Sequence, residues 1–263
     1  MPSMTQSRGR MAVATVVLAA LATCGSVGSA SAGYGPKVVT QVVGPNGLIA
    51  GPKTAMANTF SLWVGTGSKR HRCAVVQGSP MAALNTIGAS MVIKDFGKCS
   101  TKTADSASLF VDTVAGFAGT GMEGWSYKVG GKAGTAGAAD PAGPFGSGLL
   151  RGGAQVLWFW CVYDPTTYAC QRSLQISTSA RVRANSTFSV SVRALDDSGA
   201  AVAASGVRVS ITGAAASVVT GADGKATFSL AGAGNHTVKA VDASVNQQTG
   251  RRPDAFPVTV KVY

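Results

Sequence analysis

The sequence predicts a mainly β, exported protein built as two domains, and three observations carry that expectation. Short runs of polar/apolar alternation recur through the C-terminal third. Four cysteines downstream of the leader all fall before residue 171. The first 32 residues have the make-up of a leader removed on export.

The leader starts with Arg8 and Arg10, continues in an apolar run from Met11 to Leu21, and ends in Ala30-Ser31-Ala32, a small-x-small cleavage signal. The expected mature chain therefore begins near Gly33 and is secreted. No later segment approaches the ~20 apolar residues a spanning helix needs, so no transmembrane segment is expected in the mature chain. An alternative takes Leu21-Ala22-Thr23-Cys24 as a lipoprotein box with Cys24 acylated. The Ala-x-Ala site favours simple secretion.

Without Arg8 and Arg10, 21 basic residues face 11 acidic ones, of which only Glu123 is a glutamate. Such a balance favours anionic partners, and an anionic cell-envelope polymer or another surface protein fits an exported chain. The basic residues cluster only in Ser68-Lys-Arg-His-Arg-Cys73, read as a solvated loop or as a docking patch for such a polymer. No aromatic residue is interleaved with them, which argues against nucleic acid.

An even number of cysteines in an exported chain reads as disulfides. Of three possible connectivities, Cys73 with Cys99 and Cys161 with Cys170 is preferred because each pair closes a local loop. Cross-linking the larger loop is worth roughly 3 kcal/mol in the chain-entropy model. Metal binding is the alternative, but there is no C-x-x-C pair and the histidines are His71 and His236 alone.

From Thr187 onward the pattern is clear. Phe188, Val190 and Val192 alternate with Ser189, Ser191 and Arg193, and the same period recurs at 207–211, 226–230, 238–240 and 258–262. Asp197-Ser-Gly199 and Asp223-Gly224 supply turns. With 174–177 and 217–220 this makes about seven short strands, the economy of a Greek-key sandwich, over residues 172–263.

Residues 33–171 are less regular. Strands are expected at 60–64, 73–76, 90–93, 109–114, 125–129 and 155–163. One short helix is expected after Ser79, capped by that serine, with Pro80 in its first turn, Met81, Leu84 and Ile87 on one face, and Gly88 at its end. Gly130 to Gly148 holds seven glycines and two prolines and reads as a long mobile loop.

Gly119 to Gly124 spells G-x-G-x-x-G, the pyrophosphate-binding pattern. That motif needs a helix starting at the glycines, whereas the residues after Gly124, Trp-Ser-Tyr-Lys-Val, alternate as a strand. The match is coincidental in a chain with 34 glycines.

Two resemblances add to this reading. The stretch from Thr220 to Ala240, with Ala-Asp-Gly-Lys-Ala-Thr-Phe-Ser-Leu230 followed by Ala233-Gly234-Asn-His-Thr-Val-Lys-Ala240, resembles the core of bacterial immunoglobulin-like and carboxypeptidase-regulatory-like domains. That resemblance covers residues 172–263 and implies an Ig-like β-sandwich acting as a spacer or adhesive element. Gly124 to Lys132, GWSYKVGGK, together with Leu149 to Trp160, resembles the G-W-x-Y-x-V-N-G-K and G-D-x-V-x-W-x-Y signature of extracellular domains similar to the C-terminal domain of transcobalamin. It implies a small β-grasp-like α+β domain, and it is a combination seen in secreted actinobacterial-looking proteins. Gly130 stands where that family has Asn, Arg151-Gly-Gly replaces an Asp-containing turn, and the intervening loop is expanded. In transcobalamin-type proteins the corresponding region helps enclose a corrinoid, alongside a helical barrel this sequence lacks.

Trp158 and Trp160 fall on one face of the last strand of this half, Phe159 and Cys161 on the other. Read as core, this is a central strand packed on both sides. Read as function, Trp125, Tyr127 and Trp160 form an exposed platform for a small flat ligand or a glycan. No G-x-S-x-G elbow or recognisable carboxylate pair occurs, and the histidines fall in different expected domains, so no enzyme is expected. No cofactor or metal is implied. The expected function is a secreted, non-catalytic structural or adhesive binding protein; the alternative is an extracellular protein binding a small, corrinoid-like ligand.

Overall fold

Two hairpins and one helix organise the N-terminal half. In the computed structural model residues 34–242 and 251–263 are described; the leader, its cleavage site and Cys24 lie outside them. β1 (Lys37–Gly44) and β2 (Gly47–Met56) form the first hairpin. β3 (Phe60–Val64) pairs with β4 (His71–Val75) in a separate small sheet. The helix α1 (Pro80–Asn85) comes next, followed by a three-stranded sheet of β5 (Met91–Asp95), β6 (Leu109–Val114) and β7 (Phe117–Ala118). β8 (Glu123–Val129), β9 (Lys132–Ala133) and β10 (Gln155–Val162) close the half. The main sheet runs β2-β1-β10-β8-β9, antiparallel except for the parallel central pair β1 and β10. Hairpin, helix, hairpin around a parallel centre is the β-grasp-like arrangement expected.

The helix forms where the sequence places it. Ser79 Oγ accepts from Ala82 N at 3.1 Å, and Pro80 stands at the first position, where its missing N–H costs nothing. Gly88 adopts φ +79° just beyond the last turn. The helix packs on the sheet through Trp158, whose Nε1 donates to Pro80 O at 3.1 Å.

Two features depart from expectation. The sequence pattern gives no sign of β1 and β2, although β1 is a central strand. β1 is buried along nearly its whole length, Thr40 and Gln41 included, so it shows no alternation. β2 carries Gly51-Pro52, which reads as a strand breaker, yet β2 is the sheet edge, where a proline removes no ladder bond. The Gly130–Gly148 segment is irregular but packed rather than a free loop. Ala139 is fully buried, and Met81 N and Ser106 Oγ donate to Ala138 O and Ala139 O.

The C-terminal half is a two-sheet β structure. β11 (Ser173–Thr178), β12 (Arg181–Val182), β13 (Thr187–Leu195), β14 (Ala201–Ala203) and β15 (Val207–Ile211) are followed by β16 (Val218–Val219), β17 (Lys225–Ser229), β18 (Gly234–Asp242) and β19 (Val258–Val262). One sheet sets β11 on one side of β13 and β14 with β17 on the other; the second runs β12-β19-β18-β15-β16. The apolar phase points inward as the alternation requires, with Phe188, Val190, Val192, Val207 and Val209 all buried. β12 and β14 are additional to the strands expected, being too short to show a period. His236 lies on β18, inside its sheet and not on an edge strand.

Residues 34–263 form one compact unit. It contains one core made from residues 38–162, a second from residues 174–262, and a small cluster of Val43, Leu157, Phe159 and Cys161 packed with Tyr163, Cys170 and Phe256. The central strand β10 thus faces one core with Trp158 and Trp160 and the C-terminal half with Phe159. We expect Trp158→Ala to lower the unfolding free energy by about 3–5 kcal/mol in urea titrations, while Tyr168→Ala, an exposed ring, stays within about 0.5 kcal/mol of the parent.

Candidate functional site

Of the two readings of Trp125, Tyr127 and Trp160, core and platform, their burial fits the core. Trp125, Tyr127 and Trp160 are 4%, 7% and 9% exposed. Trp125 and Trp160 stack edge-to-face at 5.7 Å, Trp125 Nε1 donates to Phe117 O at 2.8 Å, and Trp160 Nε1 donates to Glu123 Oε2 at 3.1 Å. Tyr127 OH donates to Ala136 O at 2.7 Å, tying down the glycine-rich segment. Burial, then the charge of Asp140, pushes the Tyr127 phenol up to about 12. Their polar tips are satisfied inside the protein, which is how aromatic residues behave in a core.

The glycine pattern at 119–124 is a turn. Thr120 and Glu123 exchange backbone hydrogen bonds at 2.9 Å, Gly121 takes φ +56°, and the chain runs on into β8. Among the described residues no helix starts at these glycines, so the phosphate cradle is missing.

A different aromatic residue is exposed. Trp63 is 58% accessible, whereas Trp158 is 1%. It stands beside a groove of about 380 Å³ between β3 and β5, lined by Phe60, Leu62, Met91, Val92 and Ile93. Among the described residues no ladder joins these two strands, so both present an edge to the groove. The basic run surrounds the indole. The Arg70 guanidinium lies 5.2 Å from the Trp63 ring centroid, Arg72 is the cross-strand partner of Trp63, and Lys69 is exposed in the turn before β4. The expected solvated loop over 68–73 is therefore a short 3-10 turn leading into β4, with its charges on the surface.

Both disulfides, Cys73–Cys99 and Cys161–Cys170, are formed. The first holds β4 to the segment after β5, and His71 lies over it. His71 Nε2 is 3.4 Å from Cys99 Sγ and 3.5 Å from Asp95 Oδ2, and its Nδ1 is 3.0 Å from Lys69 O. Burial raises the Asp95 pKa, but hydrogen bonds from Ser108, Gly97, Cys99 and His71 outweigh it and leave the carboxyl below its usual range. The expected Cys73–Cys99 pairing placed Cys99 beside β4, whereas nothing in the sequence spacing pointed to Asp95, which arrives from β5.

A second cavity, about 250 Å³, lies between the halves and is lined by Leu157, Leu174, Leu195, Phe256 and Lys128. Lys128 is fully buried; its Nζ donates to Leu195 O at 3.1 Å and pairs with Asp197 Oδ1 at 3.2 Å, close in distance but off the hydrogen-bond axis. Burial lowers the Lys128 pKa against the pull of Asp197. That ammonium is engaged by the protein itself, whereas the basic groups around Trp63 face solvent.

No family model matches the chain, and no curated protein matches it. Among solved structures the chain is similar to the CARDB domain of the PF1109 protein from Pyrococcus furiosus, crystallised in complex with di-metal ions, at 21% identity over 35% of this chain and 87% of that one, with a TM-score of 0.22. At that score the likeness carries nothing about fold or function here.

Tyr127 sets an alkaline limit. Its folded pKa, about 12, lies above the ordinary 10.0, so the unfolded chain loses the proton first. Its contribution is present below pH 10 and is lost as the pH rises towards 12, up to roughly 2 kcal/mol. Burial raises Tyr163 as well. Urea titrations at pH 9 and 11 are expected to show a smaller pH dependence in Tyr127→Phe than in the parent.

Proposed function

We propose that the protein is a secreted, non-catalytic binding protein of two modules, 33–171 and 172–263, that docks an acidic polysaccharide of the cell envelope at the Trp63 groove. The observation that carries the reading is the half-exposed indole of Trp63, beside Arg70 and Arg72, at the lip of a groove of mixed polar and apolar lining. A flat indole stacks on the apolar face of a sugar ring, and guanidinium groups beside it pair with carboxylates on the same chain. The 21 basic residues that face 11 acidic ones once Arg8 and Arg10 leave with the leader favour the same partner at long range. Two formed disulfides suit an extracellular setting, and no helix among the described residues is long and apolar enough to cross a membrane. The division near Arg172 is supported by the two cores drawing their residues from opposite sides of it. The small-ligand, corrinoid-like alternative rested on Trp125, Tyr127 and Trp160, which are less exposed than Trp63.

Tryptophan fluorescence tests the reading directly, because three of the four tryptophans are buried. Titration with polygalacturonate is expected to give saturable quenching that weakens as salt is raised. In calorimetric titrations, which do not depend on the indole, Trp63→Ala is expected to weaken binding about ten-fold or more, as removal of a central aromatic anchor does. Equal quenching by neutral dextran, or an unchanged calorimetric affinity in Trp63→Ala, would refute it.

A further inference from the structure

We infer that reduction of the Cys73–Cys99 disulfide opens a four-ligand site for a zinc-class divalent ion, made by His71, Cys73, Asp95 and Cys99. His71 Nε2 and the two sulfurs all lie within 4.8 Å of one another. In a tetrahedral site with metal–nitrogen and metal–sulfur bonds of ordinary length, a nitrogen and a sulfur are roughly 3.5 Å apart, and a nitrogen and a carboxylate oxygen roughly 3.4 Å. His71 Nε2 already stands 3.4 Å from Cys99 Sγ and 3.5 Å from Asp95 Oδ2. The sulfurs must separate, to roughly 3.8 Å, and the Asp95 carboxylate, which stands outside the 4.8 Å grouping of the other three ligands, must close on them. Their Cα atoms are 5.4 Å apart, which brings that spacing within reach of side-chain rotation.

The surroundings supply what a metal site needs beyond its ligands. When Nδ1–H donates to Lys69 O and Nε2 gives up its own proton to solvent, the Nε2 lone pair points at the sulfur and the carboxylate, the outer contact that orients a ligating imidazole. Asp95 is fixed by Ser108 Oγ at 2.6 Å and by the Cys99 backbone N–H at 3.2 Å. Its side chain is 6% exposed and that of His71 is 45%, so the imidazole is the entrance and the acid the floor. Lys69, Arg70 and Arg72 offset the negative charge that two thiolates and a carboxylate place around one divalent ion.

The chemistry balances with an external dithiol as reductant. The dithiol gives two electrons and two protons to the Cys73–Cys99 bond, which breaks to two thiols, and leaves as its own disulfide. The metal ion then displaces both thiol protons to solvent. Oxidised protein holds no such site, because each sulfur's bonding is spent on the other.

The test uses the full chain carrying Cys161→Ser and Cys170→Ser, so that one disulfide remains, titrated with Co²⁺ before and after phosphine reduction. Reduced protein is expected to bind one Co²⁺ per chain with thiolate-to-cobalt charge transfer and tetrahedral d–d bands; oxidised protein is expected to show neither. His71→Ala is expected to weaken binding by at least about a hundred-fold, and Asp95→Asn to shift the d–d bands. If reduction unfolds the chain, Zn²⁺ is expected to restore its near-ultraviolet circular dichroism. The inference is overturned by a reduced, folded chain without charge transfer, by unaltered affinity in His71→Ala, or by an unfolded reduced chain that Zn²⁺ does not rescue.

Discussion

The structure depends on a strand that has no free face. β10 presents Trp158 and Trp160 to the helix and the N-terminal core, and Phe159, Leu157 and Cys161 to the other side. Leaving the second set in water would expose several large apolar side chains, each worth about 1.5–3 kcal/mol on burial. The C-terminal half covers them, with Phe256 in the seam, the Lys128 ammonium 5.7 Å from the Phe159 ring, and Lys128 reaching Leu195 O. Polar contacts fix the register of the seam: Gln41 Nε2 donates to Asp254 O, and Gln171 Nε2 donates to both Trp160 O and Arg251 O. A buried ammonium is a weak source of net stability but a strict one of geometry, since misalignment strands its charge.

That arrangement leaves the opposite end of the N-terminal half free. The sheets β3-β4 and β5-β6-β7 meet without a ladder, and their edges stay open around Trp63. The basic turn before β4 lies on the same surface, so charge and exposed apolar area coincide there. The Cys73–Cys99 bridge ties this end together, setting β4 against the segment after β5. His71 and Asp95 converge over the same bridge, which joins the docking surface to the proposed metal site through one short strand.

The legible parts of the sequence were those governed by local rules. The alternation from Thr187 onward, the Ser79-Pro80 helix start and the strand character after Gly124 each depend on neighbours a few residues apart, and each is present. β1 was illegible because a parallel central strand is buried on both sides and shows no period, and β2 because its proline means one thing at an edge and another inside a sheet. Trp125, Tyr127 and Trp160 stand out for their aromaticity, while the informative residue is Trp63. It stands on the polar phase of its strand, with Ser61 as its neighbour on that face, and the basic run comes within ten residues. An aromatic on the wrong phase of an amphipathic strand was the available signal. The approach of Cys99 to His71 followed from the expected Cys73–Cys99 pairing, while that of Asp95 is long-range and had no such signal.

The proposed function places the contact surface at the Trp63 groove. Chemical-shift mapping of the ¹⁵N-labelled full chain with an acidic oligosaccharide tests it residue by residue. Shifts are expected at the Trp63 indole N–H and at the backbone of Arg70, Arg72 and Val92, with the other three indoles unmoved. Shifts centred on Lys128 and Leu195, or none at Trp63, would contradict it.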